Sequence, residues 1–262
     1  MAFDYEAVVW GGGGLISAEA PDFLDHGLHL RHALDALRDV QGHAVEVGCG
    51  SGRFIASLAA ARPDLVTHGC DISRTALTEA TQQHATTRFL AASADALPYP
   101  TNSFDAVLMI DVLEHLPDVA VALREVRRIL KPEAPFHLVF PCEAHPYTLH
   151  GRFSPLRALK RQHAGHIQQL TPTELYAALD AADLRVVTAK SSYHPLGQLY
   201  DLAVFGALGL GIDMHGARRK NVEATGDSAM KSVRRWVSKL LYAESTLLEN
   251  VPVGMTVHVT CR

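Results

Sequence analysis

Between His43 and Phe140 the chain keeps a strict rhythm, and that rhythm limits the fold more than any other feature. Short apolar runs at Ala44–Gly48, Leu65–Cys70, Arg88–Ala92, Phe104–Ile110 and Phe136–Phe140 read as strands. Phe54–Ala61, Arg74–His84 and Val119–Leu130 read as helices between them. The last of these carries Val119, Leu123, Val126 and Leu130 on one face and Arg124, Glu125, Arg127 and Arg128 mostly elsewhere, and Lys131-Pro132 ends it. The fourth apolar run is continuous, as expected of a strand covered on both faces. Strands alternating with helices predict a doubly wound, parallel α/β sheet with right-handed crossovers. Ligands of such sheets bind beyond the carboxyl ends of the strands.

The flanks are less regular. Residues 1–40 are expected to form an N-terminal helical cap, with the Gly11–Gly14 run as a hinge before it. Residues 43–141 form the core. Beyond it, Leu170–Asp183 reads as a helix, with Thr171 as N-cap, Pro172 in the first turn and Glu174 three residues after the cap. Leu184–Ala189 reads as a sixth strand, and Met255–Cys261 alternates like a strand with one exposed face. Residues 190–252, between those two strands, are too many for a plain connection. They are expected to form a helical insertion of the same single domain, serving as a substrate lid.

Composition narrows the class. Of 262 residues, 48% are hydrophobic and 20% charged, enough to bury a large core. A formal charge of −4 disfavours a globally basic nucleic-acid binder. The four cysteines, Cys49, Cys70, Cys142 and Cys261, have no CxxC or zinc-finger spacing and suit reduced thiols. No signal peptide is readable at the N-terminus, and the apolar stretch Leu202–Ile212 is too short to span a bilayer. A soluble, cytoplasmic protein is expected.

Function is most legible in the turn after the first strand, Glu46-Val47-Gly48-Cys49-Gly50-Ser51-Gly52. A glycine turn lets a ligand approach the backbone and aims helix N-terminal amides at it. The dinucleotide pattern G-x-G-x-x-G fails, because Arg53 stands where its third glycine belongs, and no Walker A Gly-Lys-Ser/Thr follows. An acid, Glu46, precedes the loop, which favours a ligand with a cationic amine over a pyrophosphate.

Glu46-x-Gly48-Cys49-Gly50-x-Gly52 resembles motif I of class I S-adenosylmethionine-dependent methyltransferases, within the group that includes the ubiquinone and menaquinone methyltransferases. The resemblance runs through residues 43–141. Asp71 in His68-Gly69-Cys70-Asp71-Ile72-Ser73 matches the acid that holds the cofactor's ribose hydroxyls. Ala94-Asp95-Ala96-Leu97-Pro98-Tyr99 matches the segment whose acid takes the adenine amino group. Asn102–Val107, Asp111-Val112-Leu113-Glu114-His115-Leu116 and Leu130-Lys131-Pro132 match later motifs, the second of them closing over the methionine part. The resemblance implies a Rossmann-like, seven-stranded, mostly parallel sheet with the last strand antiparallel. It also implies S-adenosyl-L-methionine as cofactor and S-adenosyl-L-homocysteine as product. The expected cofactor residues are Glu46, Gly48, Cys49, Gly50, Gly52, Asp71, Ile72, Ala94, Asp95, Ala96 and Asp111. Glu114 and His115 are expected to support the loop or cap a helix.

Methyl transfer is an in-line displacement in which the protein mainly orients and desolvates. An oxygen nucleophile also needs its proton removed, so histidines after the fifth strand are the candidate bases: His145 first, then His150 and His166. Gly165-His166 and Leu170-Thr171-Pro172-Thr173-Glu174-Leu175 form a family-like pattern in which the histidine positions the cofactor side. No ligand pair such as H-E-x-x-H is present, so no metal is expected. The expected acceptor is an O, N or C centre of a small lipophilic or aromatic molecule, and no nucleic acid is expected. Leu199, Leu202, Phe205, Leu208 and Leu210 are followed by Arg218, Arg219, Lys220, Lys231, Arg234, Arg235 and Lys239. This reads as an extra helical layer with a solvated basic face, or as a lid or surface that meets anionic lipid. The competing readings are a nicotinamide-dependent oxidoreductase and a non-catalytic cofactor-binding scaffold. Oligomeric state is not legible.

Overall fold

The computed structural model describes residues 14–19, 26–210 and 228–262. Its centre is a seven-stranded sheet of β1 (Gly42–Val47), β2 (Leu65–Asp71), β3 (Arg88–Ala91), β4 (Ala106–Ile110), β5 (Phe136–Pro141), β6 (Val186–Ser192) and β7 (Thr256–Cys261), in the order β3-β2-β1-β4-β5-β7-β6. Strands β1 to β5 pair in parallel. β7 inserts antiparallel between β5 and β6. The order of strand addition reverses between β1 and β4, so the carboxyl ends of those two parallel strands flank the switch point where ligands bind in such sheets.

Helices cover both faces. α1 (His26–Ala36), α2 (Arg53–Ala61) and α3 (Arg74–Gln83) follow the N-terminal segment, β1 and β2. α4 (Val119–Ile129) precedes β5. Then come α5 (Leu149–Arg152), α6 (Ser154–Ala164), α7 (Pro172–Asp180), α8 (Pro195–Gly209) and α9 (Ser228–Leu248). Alternation along the strands divides the core. Val45, Val47, Val107 and Met109 pack with Leu123 and Val126 of α4 and Leu175 and Leu179 of α7. Ala44, Ala106 and Leu108 pack on the other side with Leu30, Ile55, Leu58 and Leu77. Burying both faces is what lets β1, β4 and β5 read as nearly continuous apolar runs.

Local signals fix the helix starts. Ser73 and Asp118 accept backbone N–H groups from Ala76 and Val121. Thr171 and Glu174 complete the expected capping box.

Two sequence expectations are corrected. Phe104 lies outside β4 and only bridges to Leu130. β7 has no exposed face: every residue is buried, because it is a central strand and α1 packs on it. The segment after β5, where the sequence rhythm marks no element, forms α5 and α6, and α6 packs against α8. Among the described residues, two helices, α8 and α9, stand between β6 and β7. Of the basic run, residues 218–220 lie outside the described residues, as do 11–13 of the glycine run. No described helix is long and apolar enough to cross a membrane.

Candidate active site

The turn between β1 and α2 has three glycines with positive φ, Gly48 at 78°, Gly50 at 52° and Gly52 at 77°. Two of them are required by packing as well as conformation. A Cβ on Gly48 would overlap the Val112 side chain, and one on Gly52 would stand 2.6 Å from Phe89 Cζ. The loop is therefore clamped between β3 and the segment after β4. Gly52→Ala is expected to lower stability by about 2–4 kcal/mol, from left-handed strain and overpacking together. Gly206→Ala on α8, where a Cβ meets nothing within 4 Å, should be neutral or slightly stabilising. Urea midpoints of the two variants check this contrast; equal effects would contradict it.

Asp71, at the end of β2, is pinned by two backbone donors: Gly50 N–H reaches Oδ2 at 2.7 Å and Ser73 N–H reaches Oδ1 at 2.8 Å. It joins the glycine loop to the start of α3 and presents a fixed carboxylate at the carboxyl edge. Beside it Ile72 is 62% exposed, an unusual position for a large apolar side chain. The segment 94–99 is held from α4. Leu97 N–H donates to Glu125 Oε2, and Arg128 donates to the carbonyls of Leu97 and Tyr99 at 2.8 and 2.7 Å. Ala94 is buried, while Asp95 and Ala96 are exposed on the turn.

Glu46 stands near the end of β1, just before the glycine loop. It is 3% exposed, and its Oε2 accepts the Ile55 N–H of α2 at 2.9 Å. Burial raises its pKa to about 8, so it is largely neutral at pH 7. It braces the loop from beneath, tying β1 to the start of α2. The buried thiol of Cys49 is likewise pushed up by burial.

Past β4, Asp111 is a non-glycine residue at φ 52°, the kind of strain that collects at functional sites. A single 3₁₀ turn, Leu113–His115, follows. Glu114 is fully buried, and neither carboxylate oxygen has a hydrogen bond. Burial and then the charge of Asp111 push its carboxyl well above the usual range. His115 Nδ1 lies 3.1 Å from the Gly165 carbonyl, and burial lowers its pKa to about 4. His166 Nδ1 lies 2.7 Å from Glu143 Oε1, and the two imidazole rings meet edge to face at 5.0 Å.

The three candidate bases are thus in different situations. His145 is a strut: Nδ1 accepts the Tyr147 N–H and Nε2 lies 3.0 Å from the Pro252 carbonyl. Both nitrogens are engaged, so this first candidate is displaced as a base. His150 is fully buried, with Nε2 2.8 Å from Asp201 Oδ2 on α8. Only His166 joins the cluster after β4. Sequence reasoning missed the residues behind it. Lys160 of α6 lies 2.9 Å from Asp201 and 3.6 Å from Glu143. Burial opposes its charge, but the two carboxylates more than offset that and hold its pKa above the usual lysine value. The one available signal was Asp201, a lone charge at the edge of an apolar stretch.

Comparison with known proteins agrees with this geometry. Residues 45–138 match a family model described as a methyltransferase domain. The ubiquinone biosynthesis O-methyltransferase of Alkalilimnicola ehrlichii is 30% identical over 193 residues, 67% of this chain and 74% of that enzyme. The fatty-acid O-methyltransferase of Mycolicibacterium smegmatis is 34% identical over 123 residues, 45% of this chain and 44% of that enzyme, so the chain spans less than half of that relative. Among solved structures the cyclase SpnF superposes with a TM-score of 0.60 at 20% identity, over 97% of this chain and 85% of that one. That likeness is one of fold.

Proposed function

The chain belongs to the class I S-adenosylmethionine-dependent methyltransferases, in the group of the ubiquinone-type enzymes, and we propose that its acceptor is a hydroxyl oxygen of a small lipophilic molecule. The observation that carries the proposal is the buried cluster of Glu114, His115, Glu143 and His166 just past β4, next to Val112, which packs on the glycine loop. When bound, S-adenosylmethionine supplies a methyl group activated on a sulfonium. Asp71 is suited to hold the ribose hydroxyls, since an ionised carboxylate accepts two O–H bonds. Ile72 and Ala94 offer apolar surface to the adenine, and Asp95 offers its amino group an acceptor. Asp111 and Val112 close over the methionine part.

A neutral hydroxyl is a poor nucleophile, and its proton must leave as the oxygen–carbon bond forms. An amine with a free lone pair attacks without first losing a proton and so needs no such cluster. Exposed Tyr147 (74%) and Ile167 (44%), the latter adjoining His166, support an acceptor with apolar bulk. The two relatives named above, both O-methyltransferases by name, point the same way.

The test is transfer of labelled methyl from S-adenosylmethionine to a panel of long-chain phenols, catechols, fatty acids and matched amines. The phenol and catechol hydroxyls are expected to turn over and the matched amines not, and turnover of the fatty acids alone would count against a hydroxyl acceptor, because a carboxylate has no proton to lose at neutral pH. Turnover confined to amines would overturn the assignment, and calorimetry with S-adenosylhomocysteine checks the cofactor site independently of any acceptor.

A further inference from the structure

Helix α8 carries its charge inward and its leucines outward. Gln198, Asp201 and Phe205, spaced three and four residues apart, share the side that meets α5 and α6, while Leu196 and Leu199 are about half exposed. Apolar packing alone would give the reverse. Gln198 Oε1 accepts the Leu149 N–H at 2.8 Å, and Asp201 Oδ2 is 2.8 Å from His150 Nε2. Asp201 Oδ1 accepts from Lys160 Nζ at 2.9 Å, and that ammonium lies 4.3 Å from the centre of the Phe205 ring.

We propose that Lys160 and Asp201 are positioning residues for the acceptor step: docking of α8 on Lys160 sets Glu143, and Glu143 sets the ring of His166. The contacts form one continuous chain. Lys160 Nζ is 3.6 Å from Glu143 Oε1, and the same oxygen is 2.7 Å from His166 Nδ1. Gln169 Nε2 holds the other oxygen at 3.3 Å. Glu143 is wholly buried, where a carboxylate needs a cation or several donors to stay ionised. Burial opposes its charge, but His166 and then Lys160 hold its carboxyl below the usual range. An ionised carboxylate only accepts, so Nδ1 of His166 carries the proton and the lone pair is on Nε2.

A stabilising role alone does not account for these residues. Apolar side chains of similar volume commonly hold two helices together as well as a buried ion pair does, or better. Here the charged link runs from α8 through α6 to the cluster past β4, and each member fixes the next.

This inference rests on the hydroxyl-acceptor reading. As the acceptor oxygen bonds the methyl carbon, its proton passes to His166 Nε2 and the carbon–sulfur pair returns to sulfur. The Glu143 carboxylate then faces the imidazolium so formed.

The experiment compares Lys160→Met, Asp201→Asn and the double variant in the full chain. It reads the unfolding temperature, calorimetric affinity for S-adenosylhomocysteine, and kcat and KM with the phenol or catechol that turns over. Lys160→Met strands two buried carboxylates. It is expected to lower the unfolding temperature and to cut kcat about 100-fold, with nucleoside affinity unchanged. Adding Asp201→Asn removes one stranded charge, which is expected to restore much of the unfolding temperature. kcat should stay low, because Glu143 still lacks its cation. Asp201→Asn alone keeps the side-chain shape and leaves Lys160 to Glu143, so it should fold and lose less kcat. If Lys160→Met does not fold, the other two variants carry the comparison. Recovery of kcat along with stability in the double variant would overturn the proposal and leave the acceptor assignment standing. So would unaltered kcat in Lys160→Met, or a matching loss of nucleoside affinity, which marks a purely structural pair. Turnover of amines alone by the unaltered chain would sink the acceptor assignment and this proposal together.

Discussion

Lowering the pH from 7 to 5 is expected to cost this fold about 4 kcal/mol of stability through His32 and His137 alone, before most carboxylates titrate. Both are buried where α1 crosses β5 and β7: the rings of His32 and His258 are 4.7 Å apart, and His137 Nδ1 is 3.1 Å from Thr260 Oγ1. Burial lowers the pKa of His32 to about 4 and of His137 to about 3. His258, fully buried and facing His29, His32 and His137, is lowered in the same sense. From α1, Arg31 adds a positive charge and Asp35 a negative one; Lys190 of β6 opposes protonation of His32, while Glu249, 3.6 Å from its Nε2, favours it. The unfolded chain binds protons below pH 6.5 that the folded chain refuses. Stability is therefore intact above 6.5 and lost progressively as the pH falls toward the folded values. Each such histidine costs about 1.4 kcal/mol per pH unit in that window, a large share of a typical folding free energy. Urea midpoints between pH 7 and 5 check this, with His32→Leu expected to flatten the dependence. A midpoint that does not move over that range, or an unchanged slope in the variant, would contradict it.

That cluster also shows where a sequence stops being readable. The core from His43 to Pro141 was legible because its central strands β1, β4 and β5 are covered on both faces and its helices on one, so period and burial coincide there. The expected exposed face of β7 failed because His258 and Thr260 look like surface residues, yet they lie under α1 with polar partners. α6 was hidden for a similar reason: its inward face carries Lys160, whose partners Asp201 and Glu143 come from α8 and from the turn after β5. A buried ion pair between distant segments breaks apolar periodicity and leaves no local trace. Glu125 and Arg128 were correctly off the apolar stripe of α4, but their work on the 94–99 segment could not be read from one helix. His145 and His166 are equivalent as letters. Only the neighbours of their two nitrogens separate a strut from a member of the site.

Asp71→Ala is expected to weaken S-adenosylhomocysteine binding at least about 100-fold, some 2.7 kcal/mol or more. The loss has two sources, and they can be separated. In the proposed site, Asp71 accepts the ribose hydroxyls, and charge-assisted bonds of this kind contribute about 1.5–3 kcal/mol. Its oxygens also accept the N–H groups of Gly50 and Ser73, so removing them frees the glycine loop from the start of α3. Asp71→Asn keeps one accepting oxygen and the size of the side chain but loses the charge and half of the acceptor capacity. It should fall between the two, with a smaller loss of folding stability than Asp71→Ala. If the carboxylate only braced the loop, 2′-deoxy and ribose forms of the nucleoside would lose affinity equally on substitution. If it holds the ribose, the deoxy form already binds weakly to the unaltered protein and loses little more in Asp71→Ala. Calorimetry of both ligands against both variants reads this double difference directly. Full-affinity binding by Asp71→Ala would remove this residue from the cofactor site, whatever the fold resembles.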